Sequence, residues 1–288
     1  MCSGHLSFFP IYDLTINFIY NIHSNIYYIY KVNKNMTKDV LIYEVKDQIT
    51  YITIDNPENN RLDPPLCRAL GEAWDRFAKD AESRVAILSA RGPDFSRGAD
   101  IFVEGLLKDL LKAFPPNGTK ILKPIIGAVH GNVIGSGYGL GVLSTDITYA
   151  TEDTQFIFGE VYVGIVGAVV EYKPYMPFKA SMEFYMSGKP MSAQRAYELG
   201  LINHVTKNKE ELMIEATKMA LILRDNAPLS LRAIKYAHYK SVESEGRKAI
   251  RLAQEEFNTF IQPQLVSEDF KEGKAALKEN RKPIFKGR

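Results

Sequence analysis

The chain has 288 residues, 45% of them hydrophobic and 24% charged, with 36 Lys and Arg against 34 Asp and Glu and a formal net charge of +2. That much apolar material supports a large core, and so small a net charge excludes a disordered chain, an acidic tail and the basic field of a nucleic-acid binder. Two cysteines, Cys2 and Cys67, are too few for a disulfide framework or a zinc site, so a reducing, cytoplasmic setting is expected.

Residues 1–35 differ from the rest. They hold five of the 16 tyrosines (Tyr12, Tyr20, Tyr27, Tyr28 and Tyr30) together with six isoleucines and five asparagines. The segment lacks the basic start and small-residue cleavage site of a secretory signal. Asn17, Asn21, His23 and Asn25 interrupt its apolar run, short of the roughly 18 unbroken residues of a membrane span, and no membrane association is expected. Ile, Tyr, Asn and Lys are what AT-rich DNA encodes, so the segment reads as translated upstream sequence with Met36 as the natural start. The alternative is an amphipathic or targeting extension. Without Lys31, Lys34 and Asp13 the totals fall to 34 basic and 33 acidic residues, and the body is near neutral.

From Val40 to Asp55 the chain reads as a β-hairpin, because VLIYEV and ITYITID are β-branched and aromatic and a short polar turn joins them. Asn56-Pro57 breaks the pattern. Pro64 to Lys79 is predicted helical, with Leu66, Leu70, Trp74 and Phe77 spaced for one buried face. A buried strand follows at 85–90, then FSRGAD (95–100), then a helix that buries Leu106, Leu107, Leu110 and Leu111 and ends at the Pro-Pro-Asn-Gly of 115–118. PIIGAV (124–129) is an apolar strand, and Gly131 to Gly141 is a glycine-rich bend entering a helix. Two short strands, 147–151 and 155–158, lead to Gly159-Glu160. From about 178 the pattern is helical, with only 202–206 strand-like. Strands mixed with helices and then helices alone predict one α/β body with a helical tail.

The bend in PIIGAVHGNVIGSGYGLGV invites a dinucleotide reading, but no register gives G-x-G-x-x-G, and neither a P-loop nor a G-x-S-x-G elbow is present. Taken alone, the cluster is explained by close packing of a helix on a sheet. FSRGAD is a second loop of the same kind: it follows a buried strand and places Gly98 and Ala99 before a predicted helix. Backbone N–H groups at a helix start lack intrahelical partners and attract negative charge. Two such loops, if they meet, form an oxyanion hole.

FSRGAD, KPIIGAVHGNVIGSGYGL, TQFIFGEVYVGIVGA, MSGKPMSAQRAYELGLINHV and the closing EGKAALKENRKPIFKGR resemble, in that order over residues 40 to 288, the crotonase (enoyl-CoA hydratase/isomerase) superfamily. The resemblance implies an α/β fold, a crotonase-like spiral of ββα units (about 36–200) with a C-terminal helical trimerisation region (about 201–288). It implies an acyl-CoA thioester substrate, a homotrimer or dimer of trimers, and no separate cofactor, coenzyme A being part of the substrate. The oxyanion donors map to the amides of Ala99 and Ser136, flanked by Gly98, Gly135 and Gly137. Of the two glutamates common in family hydratases, one is present as Glu160, and Gly139 stands where the other is expected.

A single carboxylate fits a double-bond isomerase that moves one proton between carbons, yet hydration with this glutamate alone also occurs in the family. Hydrolysis of a thioester or β-diketone bond, and a catalytically silent CoA-binding homologue, are further readings. Glu171 is either a pocket residue replacing the missing acid or a solvated early-helix glutamate. Tyr138 is read as a wall of the pocket and Asp100 as a cap. Arg97 is left between a CoA phosphate or substrate carboxylate and solvent. Lys282 and Phe285 resemble family positions that contact the adenine end of CoA. His130, His204 and His238 are too scattered for a metal set.

Overall fold

A computed structural model describes residues 40–115, 121–165, 176–239 and 265–287. The expectations for residues 1–35 and for Glu171 lie outside the described residues.

The predicted hairpin forms as β1 (Leu41–Lys46) and β2 (Ile49–Ile54), antiparallel. It opens a six-stranded sheet with β3 (Val85–Ala90), β4 (Ile125–Val129), β6 (Ile147–Thr151) and β9 (His204–Thr206), in the order β1-β2-β3-β4-β6-β9 and parallel from β2 onward. Both faces of the central strands are covered, which explains their unbroken apolar sequences. Along β3 and β4 the side chains alternate: Val85, Ile87, Ile126 and Ala128 pack with Leu212, Ala216 and Ala220 of a long helix, Lys209–Asp225. Ala86, Leu88, Ile125 and Val129 face the main core with Trp74, Phe95 and Phe156.

Helix α1 (Pro64–Lys79) has the predicted bounds. Asp63 caps it by accepting from Leu66 N–H at 2.9 Å, and Pro64 and Pro65 occupy positions whose N–H groups have no helical partner. Its apolar face is the expected one, and Trp74 Nε1 donates to Ala113 O at 2.7 Å. The next helix departs from expectation. Helix α2 covers only Leu106–Leu110 and continues as a 3-10 turn, Leu111–Ala113. Leu106 is buried and Leu110 half-buried, while Leu107 and Leu111 are exposed, so only part of the leucine set faces the core.

A second layer was only partly legible. β5 (Asn132–Ile134) lies inside the glycine-rich bend and pairs in parallel with β7 (Gln155–Ile157), which pairs antiparallel with β8 (Met191–Ser192). Two isolated bridges, Leu62 to Ala99 and Ser96 to Val133, carry the same layer back toward the N-terminal side. The chain therefore repeats one unit: a strand in the large sheet, an extended piece in the small layer, then a helix or turn. After β5 the helical piece is α3 (Ser136–Tyr138) running directly into a π-helical turn (Gly139–Leu143), closed by Ser144 N–H donating to Gly139 O at 2.9 Å. α4 (Phe178–Ser187), α5 (Ala193–Glu198) and α6 (Lys209–Asp225) follow, a further helical stretch covers 228–239, and α7 is Glu268–Lys278. Asp146 ties strand to tail: its carboxylate accepts from Ile125 N–H at 2.7 Å and Lys235 Nζ at 2.7 Å.

Candidate functional site

The small layer sets the geometry of the site. Ser96 pairs with Val133, and Val133 with Phe156, all in parallel. Three residues beyond these partners stand Ala99, Ser136 and Gly159, with Glu160 next. Neighbouring strands lie about 4.8 Å apart, so register alone sets these groups side by side at the same end of adjacent segments. The two loops do meet: a side-chain carbon added at Gly98 would lie 3.8 Å from Ser136 N and 2.9 Å from Ile134 O. Gly98 sits at φ +84°, a conformation that glycine adopts without strain.

The helix-start argument fails for the first loop. Residues 101–105 are turn and α2 begins only at Leu106. Ala99 N–H is freed by the bridge to Leu62, in which Leu62 N–H donates to Gly98 O at 2.9 Å and Asp100 N–H donates to Leu62 O at 2.9 Å. Alternation then turns Ala99's own N–H to the opposite edge, and among the described residues it has no acceptor. Ser136 N–H is freed as expected: it opens α3 after Gly135, at φ +50°, and likewise has no acceptor among the described residues. Gly98 N–H, in contrast, is committed to Ser96 Oγ at 3.2 Å.

The first loop rests on a polar scaffold missed at the sequence level. Ser96 Oγ donates to Asn60 O at 2.7 Å, and Asn60 Nδ2 donates to the carbonyls of Arg91 and Asp94 at 2.7 and 2.9 Å. The buried Asp94 carboxylate accepts from Asn132 N–H, from Asn132 Nδ2 and from Arg97 Nε. Burial pushes the Asp94 carboxyl up, but the Asn132 amides and Arg97 outweigh it and hold it below the ordinary range. Arg97 is exposed, in line with the solvent reading, and its Nε also pairs with Asp94 at 2.7 Å. The Asn59-Asn60 pair, both at positive φ, was the available signal.

Glu160 lies on a 3-10 turn, Gly159–Val163, and is partly buried. Its carbonyl accepts from Gly164 N–H and from Ile165 N–H at 3.2 Å, and its Oε1 lies 3.9 Å from the position of a side-chain carbon added at Gly135. The carboxylate therefore faces the Ser136 turn. Gly137 packs tightly there, since an added carbon would stand 2.8 Å from Ser96 Cβ and O. Tyr138 is fully buried with its ring edge-on to Phe156 and Phe184, and its hydroxyl is 3.4 Å from that of Tyr185. Burial, reinforced by the Glu160 carboxylate, raises the Tyr185 hydroxyl above the usual phenol range against the pull of Tyr138. Tyr185 is thus a protonated group within electrostatic reach of the carboxylate, and nothing in its sequence neighbourhood marked it.

Asp100 accepts from Phe102 N–H at 3.3 Å, as a turn cap. His130 is buried, and burial together with Lys209 lowers its pKa, which keeps the ring neutral with Nε2 3.0 Å from Gly92 O. Lys282 and Phe285 are exposed on the closing segment, which folds back along α7. Cys67 is buried, and its thiol is pushed up to about 12 by burial and then by Asp63 and Asp109, so it is chemically inert. Two inward N–H groups opposite one carboxylate can hold a carbonyl oxygen as it gains charge while a neighbouring carbon loses a proton.

Comparison with known proteins agrees with this arrangement. The enoyl-CoA hydratase/isomerase family model matches residues 44–288. Carnitinyl-CoA dehydratase of Salmonella typhi is 34% identical over 253 residues, covering 83% of this chain and 95% of the relative. The crystal structure of carnitinyl-CoA hydratase from Mycobacterium avium superimposes with a TM-score of 0.74 at 30% identity, over 88% of this chain and all of the other. A methylmalonyl-CoA decarboxylase structure matches with a TM-score of 0.71 at 25% identity, over 88% of this chain and all of the other, so one architecture carries more than one reaction. With a family model spanning nearly all of the described body and the spiral of paired segments behind it, the chain belongs to the crotonase, or enoyl-CoA hydratase/isomerase, family of acyl-CoA enzymes.

Proposed function

We propose that the protein interconverts a 3-hydroxyacyl-CoA and a 2-enoyl-CoA, with the Ala99 and Ser136 amides as oxyanion donors and Glu160 as the acid/base group. The observation that carries this reading is the convergence of the two amide loops opposite Glu160 Oε1. The thioester oxygen sits between the two N–H groups. Glu160 removes the proton on Cα, and the electron pair moves onto the oxygen as an enolate. As the pair returns, the Cα–Cβ double bond forms and the Cβ–O bond breaks. The hydroxyl leaves with the proton that Glu160 carried, as water, so one carboxylate closes the cycle. Tyr185, protonated and electrostatically coupled to that carboxylate, supports a proton-rich surrounding for it. The names of the curated relatives support the lyase direction.

A double-bond isomerase is the second reading, favoured by buried Gly139, which offers no second side-chain acid. There Glu160 returns the proton to a carbon two positions away. Incubating 2-enoyl-CoA and 3-enoyl-CoA separately distinguishes the two: formation of 3-hydroxyacyl-CoA supports the lyase, and a shifted double bond without hydration supports the isomerase. Glu160→Gln is expected to lower kcat by about 10²- to 10⁴-fold, the range for a general acid/base group. Unchanged turnover removes Glu160 from the mechanism. A self-associated form, trimer or dimer of trimers, belongs to the same reading, and the exposed stripe Phe178, Met182 and Met186 on α4 supplies an apolar face that a second copy would cover.

A further inference from the structure

The turn that carries Glu160 is short: Glu160 O accepts from Gly164 and Ile165 N–H, and the Tyr162 hydroxyl donates to Ser187 O at 3.2 Å. Contacts from neighbouring elements help to fix it. Helix α7 packs on this turn through Gly273: a carbon added there would stand 2.6 Å from Cα, C and O of Val163, three residues from Glu160. Those are backbone atoms, which cannot rotate aside. One helical turn earlier, a carbon on Gly164 would meet Asp269 O at 3.0 Å and Phe270 N at 3.3 Å. Two glycines thus let helix and turn approach at backbone distance, one from each side of the contact.

Helix α7 is itself held firmly. Ser267 caps it by accepting from Phe270 N–H at 2.9 Å. The Asp269 carboxylate accepts from Lys286 and Gly287 N–H, at 2.6 and 2.8 Å, and Glu272 takes a two-pronged pair from Arg281 at 2.6 and 2.9 Å. Lys274 Nζ lies 5.5 Å over the ring of Phe102, in the turn that follows the Ala99 loop, and 5.5 Å over Phe270. One helix therefore touches the turn of the carboxylate and the loop after the first oxyanion donor.

From this we infer that α7 positions Glu160 relative to the amide pair, with Gly273 as the positioning residue at the contact. The inference rests on Glu160 being the acid/base group of the proposed reaction. Glu160 Oε1 and the Ser136 turn face each other across two different units of the spiral, and the backbone contact with α7 is one of the contacts that set that separation. Gly273 touches neither substrate nor reacting atoms, so its effect passes through Val163 and Gly164 to the carboxylate. A displacement of about 1 Å at a reacting group costs on the order of 100-fold in rate.

The test uses the full chain. Gly273→Ala is expected to lower kcat by about 10- to 100-fold, with KM for the enoyl-CoA changed less than the rate and the acid limb of the kcat–pH profile displaced. A merely structural glycine would reduce the folded fraction without moving that limb. Hydrogen exchange on the unmodified protein supplies a second reading that survives if the variant does not fold: Gly164 and Ile165 N–H should exchange together with the α7 amides of Ala275–Lys278, as one opening unit. Full kcat with an unmoved acid limb in folded Gly273→Ala, or turn amides that stay protected after α7 has exchanged, overturns the inference. Glu160→Gln separates the two ideas. If it abolishes turnover while Gly273→Ala has no effect, only the positioning falls; if it leaves turnover intact, the acid/base reading falls and the exchange result still decides whether α7 holds the turn.

Discussion

The two loops that present Ala99 and Ser136 deliver the same group, an unpaired N–H, by different means. At Ser136 the amide is free because it opens a helix, and a helix has no acceptor for its first N–H groups. At Ala99 no helix begins for several residues, and the amide is free because a parallel bridge to Leu62 engages the neighbours on each side and leaves Ala99 facing away. The first device depends on one turn of α3 and so tolerates changes that keep a helix start. The second depends on three chain segments being in register, Leu62 with Ala99 and Ser96 with Val133. The Ala99 loop also rests on the Asn60–Asp94 scaffold, which reaches the Ser136 loop through Asn132 at the start of its strand, whereas the Ser136 turn itself uses Gly135 and the close approach at Gly137.

The sharpest way to test the helix-start device is Ser136→Pro. Proline suits the first helical position and removes only the N–H. The variant is expected to fold, to bind acyl-CoA, and to lose about 10²- to 10³-fold in kcat, the loss typical of one oxyanion donor. Ser136→Ala keeps the amide and should retain turnover close to the parent. Steady-state kinetics on both variants checks the pair: equal losses would mean that the side chain, not the backbone, acts at this position.

The register device breaks at Gly98. Adding a methyl group there drives a carbon to 2.9 Å from Ile134 O at a φ of +84°, so the loops must separate. Gly98→Ala is expected to lower kcat by about 10- to 100-fold, the scale of a small misplacement of a donor, and to cost about 1–3 kcal/mol for backbone strain. Thermal unfolding and kinetics together read both effects. A variant with full activity would show that the loop can relax without losing convergence.

What the sequence revealed follows the same division. Periodicity located β1, β2, α1, β3 and β4 closely, because each is long enough for one face to be read from residue spacing. The small layer was partly hidden: β8 has two residues and the Ser96 and Ala99 pairings are single bridges, too short for any alternation to register. Gly98, Ala99, Ser136 and Glu160 were visible through resemblance, but the reason Ala99 is free was not, since it requires knowing that Leu62 lies alongside. Tyr185 was invisible because α4 looks like any amphipathic helix until Tyr138 and Glu160 are brought to it. Gly273 was likewise an ordinary helical glycine until Val163 was placed against it.

The smallest expected effect concerns the Asp94 scaffold, which lies under the Ala99 loop and is tied to β5 through Asn132. Burial works against the charged form, yet two amides of Asn132 and the Arg97 guanidinium together lower the folded-state pKa. Because the folded value lies below the unfolded one, about 3.9, Asp94 contributes stability that is fully present above that value. The contribution is lost as pH falls through the still lower folded value. Acid should therefore loosen the Ala99 loop and its tie to Asn132 at the start of β5 below about pH 4, with the helix start at Ser136 affected less. Asp94→Asn is expected to cost about 1–3 kcal/mol at neutral pH, since buried donors lose a charged acceptor, and to flatten the dependence of stability on pH below about 4. Urea unfolding of parent and variant across that range checks the sign. If the variant's stability falls as steeply with acid as the parent's, the Asp94 carboxylate is not what holds the first loop in register, and the bridge to Leu62 must be sufficient alone.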